Sequence, residues 1–155
     1  MQDLNITIVQ SDLAWEQVQK NLDTFDKKLE GLKNEQDVVV LPEMFATAFT
    51  MNVGDFGGNM DSPVITWMKE KAEALNSAIT GSFIYKEKDV FYNRLVWMNP
   101  DHNFETYDKR HLFRFGGENN FFKAGKQKIV VEHKGWRVFP LICYDLRFQI
   151  GRAHV

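Results

Sequence analysis

The chain has 155 residues, with 19 basic and 21 acidic side chains and a formal net charge of −2. This near-balance excludes the strongly basic surface by which proteins hold nucleic acid or an anionic membrane. Apolar residues form 44% of the chain and aromatic residues 14%, which excludes a disordered tail. The length predicts one domain, and the single cysteine, Cys143, excludes an internal disulfide framework and a multi-cysteine metal site.

Two further patterns bear on where the protein works. No apolar run approaches the roughly 20 residues that cross a bilayer. The N-terminus lacks the basic and apolar stretches of a signal peptide. We therefore expect a soluble, cytoplasmic protein that spans no membrane.

The first part of the chain alternates between strand and helix patterns. Residues 4–10 alternate in polarity, which is typical of a strand. Apolar residues then recur every three or four positions over residues 18–32, which predicts an amphipathic helix that ends near Gly31. The continuous apolar run over residues 38–41 predicts a buried strand, and Pro42 ends it.

Strand patterns dominate the rest of the chain. A long loop over residues 43–61 precedes a second helix, with Ser62 predicted as its N-cap and Pro63 at its first position. The next strands are predicted over residues 79–85, 90–98 and 104–107, and a hairpin over residues 128–142 follows a second long loop at 109–126. This order of elements predicts an α/β fold. Long loops inside a compact domain are often functional.

Three reactive side chains follow predicted strands. Glu43 comes after the buried run that Pro42 ends, Lys109 comes after the strand that reaches Asp108, and Cys143 comes after the apolar end of the hairpin. In α/β sheets, functional sites gather at the carboxyl ends of strands. The sequence therefore predicts that a carboxylate, an amine and a thiol meet in one place.

These groups suit acyl transfer. A thiol is a weak nucleophile until it becomes a thiolate. A carboxylate with a raised pKa can take its proton, and an ammonium can stabilise the thiolate and then an oxyanion. The backbone N–H of Tyr144 can supply a second oxyanion donor. A reaction through a thioester follows.

Each residue alone also has a simpler interpretation. Cys143 can be a small buried hydrophobe, Glu43 a solvated loop residue, and Lys109 part of an exposed charge cluster with Arg110 and His111. His111 could in principle partner Cys143, as in papain-like enzymes. We assign His111 a structural role, because the Glu–Lys–Cys interpretation explains more of the sequence.

Three segments together resemble a known family. The sequences VVLPEMF over residues 39–45, YDKRHLF over 107–113 and LICYDLRF over 141–148 resemble, in order, the motifs of the nitrilase or carbon–nitrogen hydrolase superfamily. The second and third look closest to the bacterial omega-amidase subgroup. The resemblance implies a four-layer α-β-β-α sandwich, of which this chain would hold the N-terminal portion.

The resemblance also implies roles for residues. Glu43 would be the general base, Lys109 would stabilise the tetrahedral intermediate, and Cys143 would be the acylated nucleophile. Glu118 matches the family's second glutamate and would orient the substrate or Lys109, although it can also be a solvated loop residue. The implied reaction is hydrolysis of the omega-amide of a 2-oxo acid similar to 2-oxoglutaramate, with release of ammonia and without a metal or organic cofactor.

Such a substrate carries a carboxylate that a cation should hold. Arg114 and Arg147 are candidates, because a guanidinium matches a carboxylate with two donors. Arg147 can equally pair with Asp145 or with a helix end. Phe45 and Tyr144 are expected to line the pocket.

The boundaries of the chain suggest an incomplete domain. Residues 1–148 are assigned to the hydrolase domain, which continues well beyond the cysteine motif in the family. Residues 149–155 are interpreted as a non-native tail, since residues 150–155 equal the translation of a common sequencing adapter. Truncation is expected to expose the apolar residues 38–41 and 139–142 and to destabilise the fragment.

Other functions stay open on the sequence alone. The same fold could act on a nitrile or an N-carbamoyl amide, or serve as a non-catalytic interaction domain. The expected partners are a small amide substrate and water, and the full-length form is expected to be a homodimer.

Overall fold

A computed structural model describes residues 3–32 and 35–148. Its centre is a five-stranded sheet in the spatial order β1-β2-β3-β4-β5. The strands are β1 (Ile6–Ile8), β2 (Val38–Val40), β3 (Ala78–Glu87), β4 (Val90–Met98) and β5 (Phe104–Asp108). The first three strands are parallel to one another, whereas β4 pairs antiparallel with both β3 and β5. The helical crossovers between β1, β2 and β3 account for this mixed sheet.

Two helices cover one face of the sheet, α1 (Val18–Leu29) and α3 (Pro63–Leu75). Both bury an apolar stripe against strand residues, and the ring centroids of Phe25 and Trp67 lie 6.2 Å apart where the helices meet. The helix over residues 18–32 is confirmed and ends at Leu29, before Gly31. The left-handed Asn76 (φ 46°) ends α3 by a common helix-stop geometry.

The first long loop contains a short helix that its sequence did not predict, α2 (Val53–Phe56). The next helix starts as expected, with Ser62 at the N-cap and Pro63 at the first position. The Ser62 hydroxyl, however, makes no hydrogen bond within the described residues. The backbone carbonyl of Ser62 instead accepts from Ile65 at 3.0 Å.

A small hairpin packs on the other face of the sheet. Its strands are β6 (Val131–His133) and β7 (Trp136–Val138), with Lys134 and Gly135 both at positive φ in the turn. This matches the hairpin turn that the sequence predicts. The hairpin is shorter than expected, because residues 128–130 and 139–142 form no strand. A final helix, α4 (Asp145–Phe148), follows Cys143.

The exposed apolar surface differs from the expectation. Val38 and Val39 are fully buried, because helices cover one face of β2 and the hairpin covers the other. Exposed apolar side chains include Ile6 and Ile8 of the edge strand β1, which are 53% and 76% exposed, and Phe115 in the second long loop, which is 88% exposed. The expected exposure is therefore wrong for residues 38, 39 and 41, whereas residue 40 is half-buried; residues 139–142 are likewise buried or half-buried.

The layers confirm an α/β sandwich. Helices, the five-stranded sheet and the hairpin lie one on the other in that order. No helix among the described residues is long and apolar enough to cross a membrane. The predicted tail over residues 149–155 lies outside the described residues.

Candidate active site

Glu43 lies on a tight loop that β3 holds in place. The N–H of Leu41 donates to a β3 carbonyl at 2.7 Å, and the N–H of Met44 donates to Ser82 Oγ at 2.9 Å. Gly81 permits this approach, because a Cβ there would lie 2.9 Å from Leu41 Cβ. Met44 adopts φ 47° and is fully buried, so the chain turns sharply directly after Glu43.

Lys109 follows β5 and is fixed through its backbone. Its N–H donates to the Asn93 carbonyl at 3.0 Å, and its carbonyl accepts from Gly125 at 2.9 Å. A Cβ at Gly125 would lie 2.1 Å from the carbonyl oxygen of Asp108, so this close approach requires glycine. The loop over residues 109–126 thus closes against the strand that presents Lys109.

Lys109 lies between two carboxylates. Its Nζ is 2.7 Å from Glu43 Oε1 and 2.9 Å from Glu118 Oε2. The side chains of Lys109 and Glu118 are fully buried, and the backbone N–H of Phe113 donates to Glu118 Oε2 at 2.5 Å. The simpler interpretations of Lys109 as an exposed charge and Glu118 as a solvated loop residue are therefore wrong.

The environment of Lys109 favours its charged form. Burial by itself lowers the pKa of an ammonium. The hydrogen bonds and negative charges of Glu43 and Glu118 outweigh that effect, so the pKa of Lys109 lies above its ordinary value. Lys109 is therefore a fixed positive charge rather than a proton carrier at neutral pH.

Asn93 is a site residue that the sequence analysis missed. It lies on β4, is 1% exposed, and its Nδ2 donates to Glu43 Oε1 at 2.8 Å and to Glu118 Oε1 at 3.0 Å. Its Oδ1 accepts from none of the described residues. The sequence does carry a sign of this residue: Asn93 alternates with the apolar residues Phe91 and Leu95 along β4, so its amide lies on the same buried face. A polar side chain on a buried face needs specific hydrogen-bond partners.

Cys143 faces the same cluster from the hairpin side. Cys143 and Glu43 line one cavity of about 260 Å³ between the sheet and the segment before Cys143. Cys143 is exposed and adopts φ 44°, so it is not the small buried hydrophobe that one interpretation allowed. Since residues 139–142 form no strand, Cys143 does not directly follow a strand, as the sequence had predicted.

The surroundings of Cys143 suit a thiol that needs a base. Although part of the residue is exposed, the protein around the sulfur still removes water from it, and this desolvation raises the pKa of Cys143. The charge of Glu43 and its hydrogen bond raise that pKa further, while Lys109 opposes the change. Cys143 therefore rests as a neutral thiol at pH 7, in contact with a carboxylate that can accept its proton.

The other predicted site residues lie in different places. Arg114 and Tyr144 line a second cavity of about 760 Å³. Arg147 is exposed on α4, and its guanidinium makes no hydrogen bond or ion pair with the residues in 3–32 or 35–148, so the alternative pairing with Asp145 is wrong. Asp145 instead binds His111, whose Nδ1 lies 2.7 Å from its Oδ1.

Phe45 is not a pocket residue. Its side chain is fully buried and packs with Phe25 and Trp67 beneath the helices, with ring centroids 5.8 Å from each. The sharp turn at Met44 directs Phe45 to the helix-covered face of the sheet. The prediction that Phe45 lines the substrate pocket is therefore wrong.

A known protein family matches nearly the whole chain. The carbon–nitrogen hydrolase family model matches residues 5–152. The chain is 41% identical over 150 residues to omega-amidase YafV of Yersinia enterocolitica, covering 97% of this chain and 58% of that protein. It is 26% identical to 2-oxoglutaramate amidase of Bacillus subtilis, covering 92% of this chain and 56% of that protein. The chain thus spans little more than half the length of these relatives.

Solved structures of nitrilase-superfamily proteins also superimpose on the chain. XC1258 from Xanthomonas campestris, a CN-hydrolase superfamily protein, superimposes with a TM-score of 0.92 at 42% identity, covering 96% of this chain and 56% of that one. Nit3 of Saccharomyces cerevisiae, a member of the nitrilase superfamily, gives a TM-score of 0.81 at 21% identity, covering 94% of this chain and 57% of that one. The second likeness concerns the fold alone.

Proposed function

Because the chain belongs to the carbon–nitrogen hydrolase family, we propose that its full-length gene product is an omega-amidase. It hydrolyses the omega-amide of a 2-oxo dicarboxylic acid monoamide, such as 2-oxoglutaramate, to the acid and ammonia. One observation carries this proposal: Cys143 shares a cavity with Glu43, whose carboxylate is bound to the ammonium of Lys109 at 2.7 Å. The similarity to omega-amidase YafV and to 2-oxoglutaramate amidase supports the substrate class.

In the first half of the proposed reaction, the Cys143 sulfur attacks the amide carbon and its proton passes to Glu43. The electron pair of the carbonyl moves to oxygen, and Lys109 Nζ and the N–H of Tyr144 stabilise that oxyanion. The Tyr144 N–H donates to none of the described residues, which leaves it available. The C–N bond then breaks, Glu43 returns the proton to nitrogen, and ammonia leaves a thioester on Cys143.

In the second half, a water molecule attacks the thioester. Glu43 takes a proton from the water, a second tetrahedral oxyanion forms, and the C–S bond breaks to release the acid. The proton on Glu43 returns to the sulfur. Glu118 and Asn93 hold Glu43 and Lys109 through both halves, since each is buried and hydrogen-bonded to that pair. This pre-organisation lowers the cost of stabilising charge in the transition state.

The remaining parts of the proposal concern the substrate and the setting. The exposed guanidinium of Arg114 or Arg147 binds the substrate carboxylate, and Tyr144 lines the approach to Cys143. Arg114 and Tyr144 support this by sharing one cavity. The full-length protein is proposed to be a cytoplasmic homodimer that needs no cofactor.

Ammonia release tests the proposal. The full-length gene product and its Cys143→Ala variant are assayed with 2-oxoglutaramate, 2-oxosuccinamate, an aliphatic nitrile and an N-carbamoyl amine. We expect ammonia from the two 2-oxo amides with the parent protein and none with the variant. Turnover of the nitrile or the carbamoyl compound alone would contradict the omega-amide substrate but would keep the cysteine mechanism. Equal release by both proteins would remove Cys143 from the mechanism.

A further inference from the structure

Asp145 is a buried carboxylate outside the Glu43–Lys109–Glu118 cluster. Asp145 is 2% exposed, and each of its two carboxylate oxygens accepts two hydrogen bonds. Oδ1 accepts from the backbone N–H of His111 at 2.8 Å and from its Nδ1 at 2.7 Å. Oδ2 accepts from Tyr107 Oη at 2.7 Å and from the N–H of Ile142 at 3.2 Å. Four donors saturate the acceptor sites of one carboxylate.

These four donors flank the two reactive groups. Tyr107 lies two residues before Lys109 and His111 lies two residues after it. Asp145 therefore holds the chain on both sides of that lysine, through the Tyr107 hydroxyl on one side and the His111 backbone N–H on the other. Ile142 directly precedes Cys143, and Asp145 itself lies two residues beyond. One carboxylate thus joins the strand end that presents the ammonium to the turn that presents the thiol.

The turn at Cys143 needs such support. Cys143 adopts φ 44°, a left-handed conformation that is unfavourable for residues other than glycine. Asp145 closes the turn from both sides, because its N–H donates to the Ile142 carbonyl at 3.0 Å while its side chain accepts from the Ile142 N–H. Burial, together with the hydrogen bond and charge of Asp145, raises the pKa of Tyr107, which therefore stays a donor throughout the working range of pH.

We infer that Asp145 is the positioning residue of this site, setting the distance between the Cys143 thiol and the Lys109–Glu43 pair. This inference rests on the proposed function. The Asp145 side chain hydrogen-bonds to none of Glu43, Lys109 and Cys143; it acts through Tyr107, His111 and Ile142. Small displacements of reacting groups, of about 1 Å, can cost an enzyme roughly 100-fold in rate.

The test compares Asp145→Asn with Asp108→Asn in the full-length gene product. Asn offers one acceptor oxygen instead of two, so either the His111 donors or the Tyr107 and Ile142 donors lose their partner. Asp108 is a matched control, since it also adjoins Lys109 but binds Arg94 at 2.6 Å on the other face of β5. Two readouts are taken: kcat and KM for 2-oxoglutaramate, and the pH profile of Cys143 alkylation by iodoacetamide, followed on the peptide that contains Cys143.

For Asp145→Asn we expect kcat to fall about 100-fold with KM within about threefold of the parent. The alkylation profile should shift to lower pH. Glu43 raises the pKa of the Cys143 thiol, and a thiol that has moved away from Glu43 should have a lower pKa. Asp108→Asn should leave both readouts close to the parent values. A folded Asp145→Asn variant with unchanged kcat and an unchanged alkylation profile would overturn the inference.

Misfolding of the variant and inactivity of the parent protein each leave a decisive measurement. If Asp145→Asn does not fold, Tyr107→Phe removes one donor only and should still shift the alkylation profile in the same direction; an unchanged profile in that folded variant would overturn the inference. If the parent protein hydrolyses no omega-amide, the proposed substrate fails. The pH profiles of alkylation then test the role of Asp145 by themselves, because iodoacetamide reacts with the thiol without a substrate-binding site.

Discussion

The two halves of the candidate site are held in different ways. Glu43 and Lys109 follow strands of the five-stranded sheet, and Lys109 and Glu118 are wholly buried among charged and hydrogen-bonding partners. Cys143 follows a segment without strand structure, is exposed, and lies at a positive φ. The first region is therefore part of the core of the domain, whereas the second is a strained turn beside it. Loss of a cluster residue should reduce both stability and activity, whereas loss of Cys143 should reduce activity alone.

The largest expected effect on stability comes from Lys109→Met. This substitution leaves Glu43 and Glu118 side by side without the ammonium between them, and removal of one partner of a buried ion pair costs about 3–5 kcal/mol. Urea unfolding of the full-length gene product measures the change. Lys123→Met, at an exposed lysine, is the matched control and should cost less than about 0.5 kcal/mol. A Lys109 variant as stable as that control would contradict the distinction between the two regions.

Asn93→Ala should have the next largest effect. It removes the donor that Glu43 and Glu118 share, and a buried acceptor left without its partner costs about 1–3 kcal/mol. Asn103→Ala changes an exposed asparagine that binds Asp101 and should cost less than about 0.5 kcal/mol. Urea unfolding of both variants checks the difference, and kcat should fall for Asn93→Ala alone. Equal unfolding free energies would show that Asn93 is not part of the buried network.

The nucleophile turn is expected to behave in the opposite way. Cys143→Gly relieves the left-handed conformation, whereas Cys143→Ala retains it, so the glycine variant should be more stable by about 0.5–1 kcal/mol. Both variants should release no ammonia. Thermal and urea unfolding compare the pair directly. A glycine variant less stable than the alanine variant would mean that the turn at Cys143 is not strained.

The smallest expected effect is the dependence of the unfolding free energy on pH through His133. Burial lowers the pKa of His133 below its ordinary value of 6.5. The unfolded chain therefore binds this proton first as the pH falls, so the unfolding free energy should decrease below about pH 6.5. His133→Phe should weaken that decrease, because it removes the titrating group. Urea unfolding between pH 7.5 and about pH 5 tests the sign. A steeper decrease in the variant would contradict it.

The sequence predicted the order of most elements, because periodic patterns report which faces are buried. It also brought Glu43, Lys109 and Cys143 to one place, since each follows a segment that ends at the same edge of the fold. The prediction for Phe45 was wrong, because the backbone turn at Met44 determines which way the next side chain points. That turn places Phe45 in the core.

Tertiary partners account for the other differences. The side-chain partners of Asn93 lie 25 and 50 positions away in sequence, and those of Asp145, His111 and Tyr107, lie 34 and 38 positions away. No local pattern can identify such partners. The exposure of Ile6 and Ile8 likewise depends on which strand lies at the edge of the sheet, which alternation along one strand does not specify.

In the proposed mechanism, Cys143 attacks the substrate while Glu43 accepts the proton and Lys109 supplies the positive charge. Rapid quenching of the full-length gene product with 2-oxoglutaramate, followed by mass spectrometry of the peptide that contains Cys143, tests it most directly. We predict a transient acyl group on Cys143 that appears as ammonia is released and disappears as the acid forms. Ammonia release at the parent rate by Cys143→Ala, or an acyl group on another residue, would contradict the account.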